Sequence, residues 1–227
     1  MMSNKFFLLA CLLSCQLAIS VANAAVTGDA SMGTTGLGLH ANILLESDVN
    51  ARVGVNYMKL STVMQDTDGD TNIEATLNTL DALLDWFPQN NSFHLTGGLV
   101  YNQNKLDTVT KLNGVTYKGT TIISSLPFGA SLGQVNGQFN VGNIISPYIG
   151  VGWGNVLTHT SGWGITSDIG LLFHGKPQIT LTSNGCSVGP ACVALVAKVA
   201  DEEARLNDEY ASKIVYPVAR IGASYKF

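Results

Sequence analysis

The chain has 227 residues, only 12% of them charged, with a formal net charge of −4 and a mean hydropathy of +0.22. That length suits one sizeable domain, and the mild acidity excludes a nucleic-acid binder, which needs clustered Lys and Arg to neutralise phosphates. Beyond the first two dozen residues no apolar run reaches the roughly 18 to 20 residues of a spanning helix, so a helical membrane protein is excluded as well.

The first residues have their own grammar. A short n-region, "MMSNK", precedes the apolar stretch "FFLLACLLSCQLAIS" and then "VANA", with small residues at Ala22 and Ala24. This pattern predicts a secretory signal over residues 1–24, cleaved after Ala24, and a mature domain over 25–227. A retained anchor helix or a lipoprotein signal ending at Cys15 fits less well, because the small-residue site is well placed and Leu13 is bulky. Removing the leader with its Lys5 leaves 203 residues and shifts the formal charge from −4 to −5.

The mature part reads with period 2, the signature of strands with two unlike faces. In "TGLGLHANILL" Leu37, Leu39, Ala41 and Ile43 share one face, and Gly36, Gly38, His40 and Asn42 the other. "ARVGVNYMKL" sets Val53, Val55 and Tyr57 against Arg52, Gly54 and Asn56. "NTLDALLDWF" sets Leu80, Leu84 and Trp86 against Asp81 and Asp85, and "FHLTGGLVYN" sets Leu95, Leu99 and Tyr101 against His94 and Thr96. "SPYIGVGWGN" continues with Ile149, Val151 and Trp153, and "GWGITSDIGLLFH" with Trp163, Ile165 and Ile169 against Thr166, Asp168 and His174. The chain closes on "IGASYKF", where Ile221, Ala223, Tyr225 and Phe227 alternate with Ser224 and Lys226, following Arg220.

A soluble barrel would dress its exterior in charge, and this chain has too little charge to do so. The consistent solution is a transmembrane antiparallel up-and-down β-barrel, apolar outward to lipid and polar inward, closed so that no edge faces hydrocarbon. Trp86, Phe87, Tyr101, Tyr148, Trp153, Trp163, Phe173, Tyr225 and Phe227 then suit interfacial girdles. Seven strands are clear, and single-chain barrels of this kind have an even number. The eighth comes from residues 25–34 or from "QVNGQFNVG" at 134–142, and the first choice keeps the sidedness of the connections consistent. Links at 46–50, 88–91 and 158–162 are short, 61–73 is medium, and 105–133 and 182–212 are long. Short turns belong in the periplasm and long loops outside, so the C-terminus is expected to be periplasmic.

Few motifs suggest chemistry. "DTDGDTNIE", Asp66 to Glu74, spaces carboxylates as calcium loops do, but Thr71 stands where the glycine belongs and Leu77 where the bidentate glutamate belongs. It reads first as a solvated acidic turn, with calcium as the alternative. Ser167, Asp168 and His174 lie on one strand with no glycine elbow, which argues against a triad and against an enzyme. Cys186 and Cys192, in "NGCSVGPACV", are the two cysteines beyond the leader. In an oxidising compartment they are expected to form a small-loop disulfide, since zinc needs more ligands. The following "PACVALVAKVADEEARLNDEY" predicts a short helix in the last long loop, with Pro190 in its first turn. No cofactor or metal is expected. The inward ionisable set is His40, Arg52, Asp81, Asp85, His94, Asp168, His174 and Arg220, with Lys226 near the end of the last strand. It is expected to form either a packed ionic network, since eight strands leave an interior just wide enough for side chains, or a narrow solute path.

The stretches "GTTGLGLHANILLESDVNARVGVNY", "DALLDWFP", "FHLTGGLVYN", "SPYIGVGWGN", "GWGITSDIGLLFHGKPQITL" and "DEEARLNDEYASKIVYPVARIGASYKF" resemble the small Gram-negative outer-membrane barrels of the CarO-like family. More distantly they are similar to OmpW-like barrels; residues 105–133 match least. The resemblance implies an eight-stranded outer-membrane barrel and, for this family, uptake of basic amino acids such as ornithine, with no site residue carried over. It also implies that the terminal Tyr225 and Phe227 are the address read by the outer-membrane assembly machinery. The expected function is therefore a narrow channel for small polar or cationic solutes. The alternative is a non-conducting envelope-structural or surface-interaction barrel acting through its long loops.

Overall fold

The computed structural model describes residues 26–66, 69–88, 91–112, 115–117, 120–123, 131–154, 162–187 and 189–226. The expected leader at 1–24 and the terminal Phe227 lie outside them. Eight antiparallel strands close a ring. In order around it they are β1 (Val26–Gly33), β2 (Gly36–Glu46), β3 (Val49–Asp66), β4 (Gly69–Trp86), β5 (Phe93–Asn102), β10 (Ile145–Trp153), β11 (Gly162–Leu172) and β13 (Tyr216–Lys226), which pairs back onto β1. Closure pairs every strand of the ring on both sides, which removes the free edges an open sheet would leave. The first strand is residues 26–33, the choice the sequence favoured; 134–142 also forms a strand, but outside the ring.

The alternation becomes an inside-out barrel. Leu39, Val53, Val55, Leu80, Leu99, Ile149, Ile165, Ile169 and Ile221 stand on the exterior, while their sequence neighbours His40, Arg52, Asp81, Asp168 and Arg220 are buried. Trp86, Trp153, Trp163 and Tyr225 decorate the end of the exterior where β4, β10 and β13 finish, and Trp163 and Tyr225 rest 5.2 Å apart. The two-residue links at 34–35 and 67–68 join their strands at the other end, against the expectation that the short links share one side. One segment departs from expectation. The medium link at 61–73 is not a loop, because β3 runs to Asp66 and β4 resumes at Gly69, so most of the acidic stretch is strand. At about 3.3 Å per residue an 18-residue strand extends about 60 Å, about twice the hydrocarbon thickness.

This overhang seeds a second structure. The upper half of β4 pairs with β6 (Lys105–Leu112), β6 pairs with β9 (Gln134–Asn140), and β9 pairs with β12 (Gln178–Asn184). β7 (Val115–Tyr117) and β8 (Thr120–Ile123) form a separate hairpin. Thus the expected long loop at 105–133 contains strands, and the barrel continues into an extension sheet. Its inner face, Ala75, Leu106, Phe139 and Leu181, shares the parity of the lumen residues of β4, so it continues the lumen wall. The helix α1 (Gly189–Glu209) covers that face. Ala191, Leu195 and Val199, spaced four apart on one stripe, pack with Leu132 against Leu112, Val135 and Leu181. The Glu203 carboxylate accepts from the Leu181 N–H at 2.7 Å and Asn207 brackets the Ile179 backbone, so the helix also caps the outer edge of β12. Cys186 and Cys192 are disulfide-bonded and staple the helix entry. Pro190 occupies the first helical turn, where its missing N–H costs nothing.

Candidate functional site: the barrel interior

Inward alternate positions of eight strands bring the polar residues to one axis. Arg52 on β3 reaches Asp168 on β11 with two hydrogen bonds, Nη1 to Oδ2 at 2.8 Å and Nη2 to Oδ1 at 2.9 Å, and Nη2 also donates to Asp85 Oδ1 at 3.0 Å. This fork-on-carboxylate geometry is the strongest form of the pair. His94 Nε2 lies 3.2 Å from the same Asp168, and Thr96 donates to Asp85 at 2.7 Å. A second cluster centres on Asp81. Its carboxylate receives Asn56 Nδ2 at 2.9 Å, lies 3.4 Å from His40 Nε2, and is 2.9 Å from Arg220 Nη1. His40 Nδ1 faces Asp29 at 3.2 Å, and Thr166 donates to Asp29 at 2.8 Å.

Position around the ring gives these contacts their meaning. β3 and β11 are four strands apart in a ring of eight, and so are β13 and β4. The Arg52–Asp168 and Arg220–Asp81 pairs therefore span the lumen along diameters and bar its axis. Arg220 pairs by charge alone: its N–H directions miss the Asp81 oxygen, and its guanidinium carbon lies 5.5 Å from the Tyr148 ring centroid. Beside the charges, Leu83, Val100, Tyr148, Leu172 and Val218 form an apolar cluster on the lumen wall, with Tyr216 packed against it.

Of the expected inward residues, His40, Arg52, Asp81, Asp85, His94, Asp168 and Arg220 join this network, and Lys226 lies at the end of β13. His174 is instead buried beyond the end of β11, in the link to β12, and has no bond to the network. Asp29 joins although it was not among the expected residues. Its signal was the alternation of Thr27, Asp29 and Ser31 in a strand too short to trust. Two expected girdle aromatics are instead interior. Tyr148, at 1% exposure, has even parity on a strand whose odd residues face out, and Phe87 folds inward to lie 5.0 Å from the His94 ring. The inward glycines do not leave an open bore. A Cβ at Gly54 would overlap the His40 ring, and one at Gly152 would overlap the His94 ring, so their missing side chains are the space those imidazoles occupy. Ser167 and Asp168 fall on opposite faces of β11, and Asp168 is engaged by Arg52, so the Ser167, Asp168, His174 trio is not assembled. Among the described residues no cluster of three or more His, Cys, Asp or Glu has metal-holding geometry, and the Asp66 side chain lies outside the description.

No protein-family model and no curated protein matches this chain. Solved structures do. The crystal structure of Acinetobacter baumannii CarO2 superposes with a TM-score of 0.59 at 19% identity, covering 90% of this chain and 100% of the other. The crystal structure of Acinetobacter baumannii CarO gives 0.57 at 20% identity, covering 89% and 98%. At this identity the likeness shows a shared fold: the chain has a CarO-like barrel fold.

Proposed function

We propose that this protein is an outer-membrane barrel without catalytic role whose lumen is latched at rest by the two diametric ion pairs and passes small polar or basic solutes, such as amino acids, only when the latch opens. The observation that carries the reading is the pairing of Arg52 with Asp168 and of Arg220 with Asp81 across the axis, inside a wall whose exterior is apolar. The apolar exterior, the secretory leader expected at 1–24 and the aromatic C-terminal strand support the membrane and the assembly route. On the same reading the extension sheet, with the long links 103–144 and 173–215, is extracellular and the opposite end, where β13 finishes, is periplasmic. The charge balance supports the solute class, since two buried arginines face four buried aspartates, Asp29, Asp81, Asp85 and Asp168, leaving a formal excess of two carboxylates in the lumen when His40 and His94, which touch three of them, are counted neutral. A cation that replaces an arginine at one carboxylate would find a site already built for positive charge.

The test is purified barrel refolded into lipid vesicles and planar bilayers. Little steady conductance is expected, together with uptake of labelled lysine or ornithine above that of empty vesicles and above that of glutamate. Absence of uptake in barrels with intact heat-modifiable folding would leave the second reading, a non-conducting interaction barrel. That reading is favoured by one feature, the helix-covered extension sheet, which is more structure than a simple gate requires.

A further inference from the structure

Between the inner face of the extension sheet, the C-terminal half of α1 and the rim of the barrel lies a cavity of about 620 Å³. This volume falls within the range of small-molecule sites, roughly 300 to 1,000 Å³. Its walls are chiefly aliphatic and aromatic, including Leu77, Leu106, Phe139, Ile179, Leu206 and Tyr210, with Tyr216 joining it to the apolar cluster in the lumen. Phe139 and Tyr210 meet edge to face, with 6.1 Å between ring centroids, and fix one side of it.

The charged side chains that line it, Lys105 and Lys213, are of one sign, and no Asp or Glu is among the lining residues, in a chain whose net charge is negative. His174, whose pKa burial holds below its ordinary value, is a neutral polar group there beside amides such as Asn104 and Gln138. Lys105 is held by Asp107 at 3.0 Å, whereas Lys213 has no ion-pair partner among the described residues. His174 is 7% exposed, and its Nδ1 is buried with no hydrogen-bond partner. A buried ring nitrogen without a partner costs free energy unless something in the cavity satisfies it. The backbone around it is otherwise committed: the His174 carbonyl accepts from the Asn143 N–H, and the Gly175 N–H donates to Ile214.

We infer that this cavity is a binding site for a small amphipathic carboxylate, an aryl or alkyl body seated on Leu106, Phe139 and Tyr210 with its carboxylate reaching His174 and Lys213. The apolar walls supply the affinity by removing the body from water. The His174 N–H and the Lys213 ammonium give the orientation and reject cations. The site lies above the latch, so binding is independent of whether the lumen conducts.

The probe is 4-phenylbutyrate, which is water-soluble, compared with 4-phenylbutanol and 4-phenylbutylamine, by calorimetric titration against the refolded full chain in nanodiscs. Saturable binding of one carboxylate per barrel is expected, about tenfold tighter than the alcohol because a charge-assisted hydrogen bond is lost, with no saturable binding of the amine. The imidazole NMR signals of His174 should shift with the carboxylate. Ala75→Phe, which places a ring into the cavity from β4, should abolish binding, and Lys213→Glu, on the exposed rim where folding is not at issue, should weaken it about tenfold. Equal binding of all three probes, an unshifted His174 or unchanged affinity in Lys213→Glu would overturn the assignment. Since the readout needs no transport, a silent bilayer leaves it standing.

Discussion

Arg52→Met tests the latch where the structure commits most. The substitution keeps an unbranched side chain but removes three charge-assisted hydrogen bonds, two to Asp168 and one to Asp85, leaving two buried carboxylates without their main partner. Each such bond contributes about 1.5 to 3 kcal/mol net of the exchange with water. Removing one partner of a buried pair costs about 3 to 5 kcal/mol, and the expected loss lies in that window, because His94 and Thr96 still hold the carboxylates. The assay is reversible urea unfolding in phosphatidylcholine vesicles, followed by tryptophan fluorescence and by heat-modifiable mobility. Adding Asp168→Asn should recover part of the loss, giving a coupling of about 1 to 3 kcal/mol between the two sites. The same Arg52→Met barrel should show raised conductance, since one diametric bar is gone. A loss under about 1 kcal/mol, or strict additivity in the double variant, would refute the view that Arg52 ties β3 to β11.

Gly54→Ala should destabilise the barrel by about 1 to 3 kcal/mol through overpacking against the His40 ring; unchanged stability with an unshifted His40 NMR signal would mean the interior is looser than its contacts. Val53→Arg places a charge on the exterior, midway between the Trp86 and Tyr57 rows, and should cost about 2 to 4 kcal/mol in vesicles if that face meets lipid; a cost near zero would argue against a bilayer there. Cys186→Ser opens a loop whose cysteines are six positions apart, with an expected cost of roughly 2 kcal/mol. That cost should fall on the cap: amide exchange should rise in α1 and β12 while the barrel midpoint stays put, and loss of the whole fold would contradict the separation of cap from barrel.

The sequence by itself determined the face of nearly every residue in the ring. Period-2 alternation with scarce charge left one solution, and parity alone put His40, Arg52, Asp81, Asp85, His94, Asp168 and Arg220 inside. Where parity and residue type conflicted, parity won: Tyr148 reads as a girdle aromatic by type, but its even position turns it into the lumen. The disulfide and the helix were also legible, because a lone cysteine pair and a proline-led amphipathic run are local signals. Only the tertiary structure decided which inward residues meet. Alternation says that Arg52 and Asp168 share an interior, not that they stand on opposite walls at one height, because that depends on strand number and stagger around the closed ring. The extension sheet escaped for a related reason. β6, β9 and β12 acquire their pairing from the overhang of β4 and their buried face from a helix distant in sequence, so neither shows as a clean local pattern in the segments themselves. The cavity beneath that helix, with His174 at its rim, exists only once those three distant segments close over the barrel mouth.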